Sequence, residues 1–276
     1  FLRKEFPERC FDTGIAEQTM MMVAAGLAAS GKIAFASTYS VFTSMRCCEQ
    51  IRTFIAYPGL NVKIAAGLGG LSAGIEGVTH IAIEDLGIMR CIPNMVVLNP
   101  ADAVAARAAV KAAADTAGPV YIRLGRDASP VIFGEDYKLT IGKANELRSI
   151  GKDAAILVTG NLVFEALQAA DVLKAEGIKT WLVEFPTIKP IDTEAIERAA
   201  SETGALVTVE EHTIIGGLGS AVAETLADTK PVPLERVGVR DVFVESATPD
   251  ELRAEYGLKP HDIVSAVKRV IRRRDE

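Results

Sequence analysis

The sequence alternates. From Lys32 to Arg126, and again from Ala154 to Val239, short apolar runs take turns with longer stretches whose apolar residues recur at helical spacing. That rhythm predicts parallel sheets with crossover helices. In the first series the runs KIAFAST, NVKIAAG, MVVLNP and PVYIRLGR read as strands. The segments YSVFTSMRCCEQIRTFIAYP (stopping at Pro58), IEDLGIMRCIP and ADAVAARAAVKAAADT read as the helices between them. In the second series AAILVTG, KTWLVEF, ALVTVEE and PLERVGV are strands, and two helices, TPDELRAEYG and KPHDIVSAVKRVIRRR, close the chain. Residues from about 130 to 152 lack the rhythm and read as a linker with short extended pieces. The expectation is an α/β protein of two three-layer α/β/α domains with mainly parallel sheets: residues 1–135, a linker at 136–152, and residues 153–276. No repeat of 20 to 50 residues is evident.

Composition excludes several classes of function. With 49% apolar and 24% charged residues the chain suits a water-soluble fold with a sizeable core. Its net charge of −6 and lack of a basic stripe argue against a nucleic-acid partner. Cys10, Cys47, Cys48 and Cys91 show no C-x-x-C spacing and no nearby histidine, so neither a metal site nor a disulfide framework is expected, and a reducing cytoplasm fits. The apolar run after Gln18 is too short and too rich in Ala and Gly to span a bilayer, so no membrane association is expected. The chain opens without Met, directly in FLRKEFPERCF, which reads as an incomplete N-terminus.

Two stretches carry candidate chemistry. In FDTGIAEQTM, Glu17 stands between a turn and the run TMMMVAAGLAAS, which is apolar on nearly every side and reads as a buried helix. Taken alone, Glu17 suits the exposed first turn of that helix, where a carboxylate favours the N-terminus. The second stretch, GLGGLSAGIEGVTH, has five glycines between Gly67 and Gly77 and follows a strand, the usual place for sites in parallel sheets. Its glycines allow the backbone to turn sharply or approach a ligand closely. It ends by bringing Glu76 near His80. It is neither a Walker motif nor G-x-G-x-x-G before a helix, so phosphate binding is weakly supported. Glu210–His212 reads as a polar strand end.

Three segments in order, FDTGIAEQ, STYSVFTSMRCCEQIR and IEGVTHIAIEDLGIMRCIPNMVVLNPAD, resemble transketolase, most nearly the C-terminal subunit of two-chain transketolases. The resemblance continues to VTVEEHTIIGGLGSAVAE and so covers essentially the whole chain. It implies a pyrimidine-binding domain at 1–135, a transketolase C-terminal domain at 153–276, and thiamine diphosphate with Mg2+ or Ca2+ as cofactors. In that family a buried glutamate hydrogen-bonds a ring nitrogen of the cofactor's aminopyrimidine, which promotes proton loss from the reacting carbon; the resemblance gives Glu17 that role. Phe42 and Tyr39 fall where aromatic residues line the aminopyrimidine pocket, although their spacing also fits plain helix-face core. His80 matches a histidine that meets the oxygens around the reacting carbonyl. Glu76 falls where the family has an aspartate for a donor hydroxyl, and the longer side chain moves the carboxylate outward by about one C–C bond, enough to matter for catalysis. Arg126, with Arg123, matches the strand-end arginine that holds a substrate phosphate, a task suited to a fork of donors. An ordinary surface ion pair stays open for each arginine.

The departures also inform. Leu68 stands where the family loop carries a histidine, and Ile75 where it carries a carboxylate. An altered sugar pocket follows, for a branched sugar phosphate or a sugar with another anion such as a sulfonate. No segment resembles the diphosphate-binding module, so the resemblance implies an N-terminal transketolase subunit as partner, holding the metal, in an A2B2 assembly acting on sugar substrates. The expected reaction moves a two-carbon ketol unit from a ketose to an aldose. Two alternatives stay open: a decarboxylating enzyme similar to deoxyxylulose-phosphate synthase or a 2-oxo acid dehydrogenase beta subunit, and a non-catalytic scaffold subunit.

Overall fold

The computed structural model describes residues 2–126 and 128–276; Phe1 and Asp127, both within the expected first domain, lie outside them. A short helix, α1 (Leu2–Glu5), precedes α2 (Glu17–Ala29) and β1 (Ala34–Tyr39). Next come α3 (Cys48–Gln50), flanked by wide turns, β2 (Val62–Gly67), α4 (Asp85–Cys91), β3 (Val96–Leu98), α5 (Ala103–Asp115) and β4 (Val120–Arg123). The second half runs β5 (Asn145–Ser149), β6 (Ala154–Val158), α6 (Val163–Ala175), β7 (Thr180–Glu184), β8 (Thr187–Lys189), α7 (Thr193–Thr203) and β9 (Leu206–Thr213). It closes with α8 (Leu218–Asp228), β10 (Leu234–Val239), α9 (Pro249–Glu255) and α10 (Pro260–Asp275).

Two five-stranded sheets result, ordered β1-β2-β4-β3-β8 and β10-β9-β6-β7-β5. Each is parallel except for one antiparallel edge strand, β8 in the first and β5 in the second. The two-domain α/β expectation therefore holds. Strands buried on both faces explain the continuous apolar runs: β6 is buried at every position, and Val62, Ile64 and Ala66 of β2 are fully buried. Each such Ile or Leu contributes about 2 kcal/mol through area removed from water. Lys63 of β2 is also buried; its Nζ donates to Thr116 O at 2.7 Å and to Gly118 O, capping the end of α5.

Three elements differ from the sequence reading. The segment 136–152 is not all linker, because residues 145–149 pair with β7 and complete the second sheet. Conversely β8, from the second half, pairs with β3 in the first sheet. Neither strand is longer than five residues, too short to show a period. The expected polar end of β9 is buried instead: Glu210, Glu211 and His212 are all at most 2% exposed. They lie on the seam between the two halves, where polar partners satisfy them.

The long helix after β1 is wound wide. Ser40 Oγ donates to Ala66 O at 3.1 Å and Gly67 O at 2.9 Å, pinning the bend at the end of β1. From Phe42 the backbone closes five-residue turns, Cys47 N to Phe42 O at 3.1 Å and Tyr57 N to Arg52 O at 2.9 Å. Turns of this width are frequent at functional sites. Here they align Phe42 with Arg46.

Candidate active site

Parallel pairing in register places the C-terminal ends of three strands side by side: Tyr39 lies opposite Gly67, and Ala66 opposite Arg123. The loops that leave these ends hold most of the expected site residues, at the sheet edge where sites in such folds gather.

Glu17 opens α2 but is not on an exposed turn; it is 7% exposed. Its Oε2 accepts a hydrogen bond from Arg46 Nη1 at 2.7 Å. Burial pushes the Glu17 carboxyl up, yet the Arg46 hydrogen bond, a backbone hydrogen bond and the Arg46 charge outweigh it, and the net value lies below the ordinary glutamate range. The same guanidinium sits 4.2 Å over the centre of the Phe42 ring, a cation–π contact. Phe42 stacks with Tyr39 at 5.8 Å and an 18° interplanar angle. His80 meets both rings edge-on, at 5.3 Å from Phe42 and 6.0 Å from Tyr39. Glu17 of α2, Tyr39 at the end of β1, Phe42 and Arg46 of the wide turn and His80 of the loop before α4 thus form one contiguous cluster. Thr79 Oγ1 lies 2.9 Å from His80 Nδ1 and fixes the ring's rotation.

Glu76 and Arg126 are also brought together: Arg126 Nη1 is ion-paired with Glu76 Oε1. Glu76 Oε2 is a buried oxygen with no hydrogen-bond partner among the described residues. A buried acceptor left unpaired is costly, so this atom suits a donor brought by a ligand. Leu68 adopts a left-handed backbone (φ 57°) and is buried, making an apolar wall, while Ile75 is 75% exposed.

Arg123 is a correction. It is 4% exposed, its Nε is 3.1 Å from Asp85 Oδ2, and its Nη2 donates to Ala82 O at 2.7 Å and Glu211 O at 3.0 Å. Tyr121 Oη donates to the same Asp85 oxygen at 2.8 Å. A guanidinium enclosed by one carboxylate and two carbonyls is not presented to a substrate phosphate; Arg123 ties the two halves together. Sequence reasoning missed this and also missed Arg46. The available signal for Arg46 was its place four residues after Phe42 on one helix. For Arg123 no local signal existed, because Glu211 lies far along the chain.

Deeper in the seam, Glu210 accepts from Leu218 N and Gly219 N, both at 2.7 Å, at the start of α8. Burial pushes its carboxyl up to about 7. Burial holds the His212 imidazole down to about 4, so the ring is neutral near pH 7; Gly87 N lies 3.3 Å from its Nε2.

The structure thus places a buried, charge-compensated carboxylate beside an aromatic cluster, at the strand ends of the first of two α/β domains. Residues 2–131 match the transketolase pyrimidine binding domain, and residues 142–263 match the transketolase C-terminal domain. A 6-deoxy-6-sulfo-D-fructose transketolase subunit, SqwH, of Clostridium sp. (strain MSTE9) is 46% identical over 272 residues, spanning 99% of this chain and 84% of the relative. An apulose-4-phosphate transketolase subunit of Phocaeicola vulgatus is 40% identical over 261 residues, spanning 94% and 83%. A split-gene transketolase solved as an inactive beta4 tetramer superposes with a TM-score of 0.93 at 51% identity, covering 98% of this chain and 87% of that one. The chain belongs to the transketolase family, as a transketolase subunit.

Proposed function

We propose that this chain supplies the pyrimidine-binding side of a two-chain transketolase site, built with an N-terminal subunit in an A2B2 assembly. The observation that carries this reading is the ion-paired, buried Glu17 beside the Phe42–Tyr39–His80 cluster. That set fits the aminopyrimidine end of thiamine diphosphate: Glu17 would meet a ring nitrogen, and the aromatic side chains would offer a face for stacking. The metal is a different matter. Among the described residues no group of three or more His, Cys, Asp or Glu is placed to hold one. The partner is given Mg2+ or Ca2+ because the diphosphate-binding module that the resemblance calls for matches no segment of this sequence.

Thiamine diphosphate, when bound, supplies the carbon centre that carries the two-carbon unit. Glu17 holds or releases a proton at the pyrimidine nitrogen, and Phe42 with Tyr39 orients the ring. His80 donates to oxygens at the reacting carbonyl. Glu76 offers Oε2 to a donor hydroxyl while its Oε1 keeps Arg126 in place for the distal anion. Leu68 and Ile75 remove polar contacts ordinary sugar phosphates use, which supports a branched sugar phosphate or a sulfonated ketose, the latter being the kind one relative is named for. Exposed apolar side chains on neighbouring elements, among them Ile15, Met22, Val23, Ile33 and Phe35, support a covering partner.

The test is calorimetric titration of thiamine diphosphate and magnesium into this chain alone and mixed with the N-terminal subunit, followed by ketol transfer from sulfonated and branched ketoses. Binding and transfer only in the mixture agree with the proposal. Tight binding to this chain alone overturns the shared site.

A further inference from the structure

The glycines of the substrate loop turn out to make room for protein. A Cβ on Gly70 would collide with Glu211 Oε2, and one on Gly77 with Ser246 Oγ. A Cβ on Gly74 would lie 3.1 Å from both Ala247 O and Pro249 Cδ, and one on Gly69 2.5 Å from Arg123 Cγ. Gly70, Gly74 and Gly77 also combine φ of 67°, 54° and 75° with ψ of −143°, −111° and −167°, a region outside the left-handed helix that is left to glycine. The loop from Gly69 to Gly77 is therefore laid directly on the C-terminal domain, along Glu211 of β9, the segment 246–247 and the start of α9.

That floor is itself braced. Glu211 Oε1 accepts from Arg253 Nε at 3.0 Å, and Arg253 Nη1 is 3.4 Å from Glu165 Oε1. Arg253 stands on α9, whose first turn is fixed by a Thr248–Glu251 capping box beside Gly74 and Gly77. Arg123 adds a strut from the other side through Glu211 O. One guanidinium thus balances two nearly buried carboxylates directly beneath the loop that presents Glu76 and His80.

We infer that Glu211 and Arg253 are positioning residues for the donor sugar, fixing Glu76 and His80 through the backbone at Gly70, Gly74 and Gly77. The C-terminal domain then has a defined part in the reaction without touching substrate. The inference rests on the reading that Glu76 and His80 face the donor. A displacement near 1 Å at such groups costs on the order of a hundredfold in rate.

The experiment compares Arg253→Met, Arg253→Lys and Glu211→Gln with wild type by two readouts. Hydrogen exchange on the full chain alone should quicken at amides 70–80 in Arg253→Met, with the rest of the chain unchanged. In the mixture with the N-terminal subunit, KM for the donor ketose should rise about tenfold or more while thiamine diphosphate affinity stays within about twofold. Arg253→Lys should recover most of both. Glu211→Gln, which keeps the packing volume, should show the same pattern more weakly and serves if Arg253→Met fails to fold. Exchange that quickens uniformly, or a donor KM and loop exchange equal to wild type, overturns the inference. If the wild-type mixture transfers no ketol unit, the functional reading is what fails, and loop exchange still decides whether Arg253 holds the loop.

Discussion

Glu17 is buried yet charged, and Arg46 is the reason. Replacing Glu17 with Gln keeps the volume and removes the carboxylate to which the proposal gives proton transfer, so the fold should persist by circular dichroism while ketol transfer falls by about a hundredfold or more; retained turnover would sink the assignment. Arg46→Met tests the pairing through pH. A carboxyl whose folded value is depressed contributes stability that is present above the ordinary value of 4.5 and is lost as pH falls through the folded value. Wild type should lose that contribution on acidification below about 4.5, whereas Arg46→Met should already lack it at pH 7 and show a flatter acid limb in urea titrations. Equal acid limbs would show that the pair is not coupled. At this scale the resemblance, rather than residue type or spacing, singled out Glu17, Phe42, Tyr39 and His80, and the structure brings these four together. The sequence was silent where a charge is answered by a distant partner, so Arg123 read as a ligand and Arg46 went unread.

Among elements, α5 shows how one side chain organises two segments. Asp102 Oδ1 accepts from Ala105 N at 2.8 Å as the helix N-cap, while Oδ2 accepts from Ile132 N at 2.7 Å and Phe133 N at 2.9 Å. Asp102→Ala should therefore cost about 3 kcal/mol in chemical denaturation, more than a cap alone, because three donors lose a buried acceptor. A loss under about 1 kcal/mol would mean the 132–133 segment is held by other contacts. The helices and inner strands were readable from period and apolar content. The wide turns at Phe42–Arg46 and Ile51–Ala56 were not, because their winding follows from packing on α2 and β1 rather than from residue type.

Across the whole molecule, buried acids set the response to pH. Burial pushes Glu184 and Glu210 up to about 7, while it holds His212 near 4. A carboxyl raised above its unfolded value contributes stability that is complete below 4.5 and lost as pH rises through the folded value. His212, depressed, contributes above 6.5 and loses this as pH falls through about 4. Between 4.5 and 6.5 two carboxyls oppose one imidazole, so unfolding free energy should decline with rising pH, each group adding a slope on the order of 1 kcal/mol per pH unit. Glu184→Gln, which keeps an acceptor for Tyr137 and Asn145, should flatten the decline between 4.5 and 7. An unchanged slope would place the proton elsewhere. None of this was legible in the sequence, since Glu184 is an ordinary strand residue until Tyr137 and the second sheet close over it.

The crossover of β8 onto β3 has a consequence for how the protein is made. A ribosome that has finished residue 135 has delivered β1 to β4 but not the strand that covers the outer edge of β3, which arrives only with Lys189. Until then the growing chain shows an open sheet edge, the kind of surface that recruits wrong neighbours. Maturation of the first sheet is thus postponed to the synthesis of the second half. A gene cut between the halves would yield two polypeptides that must find each other before the first sheet is whole.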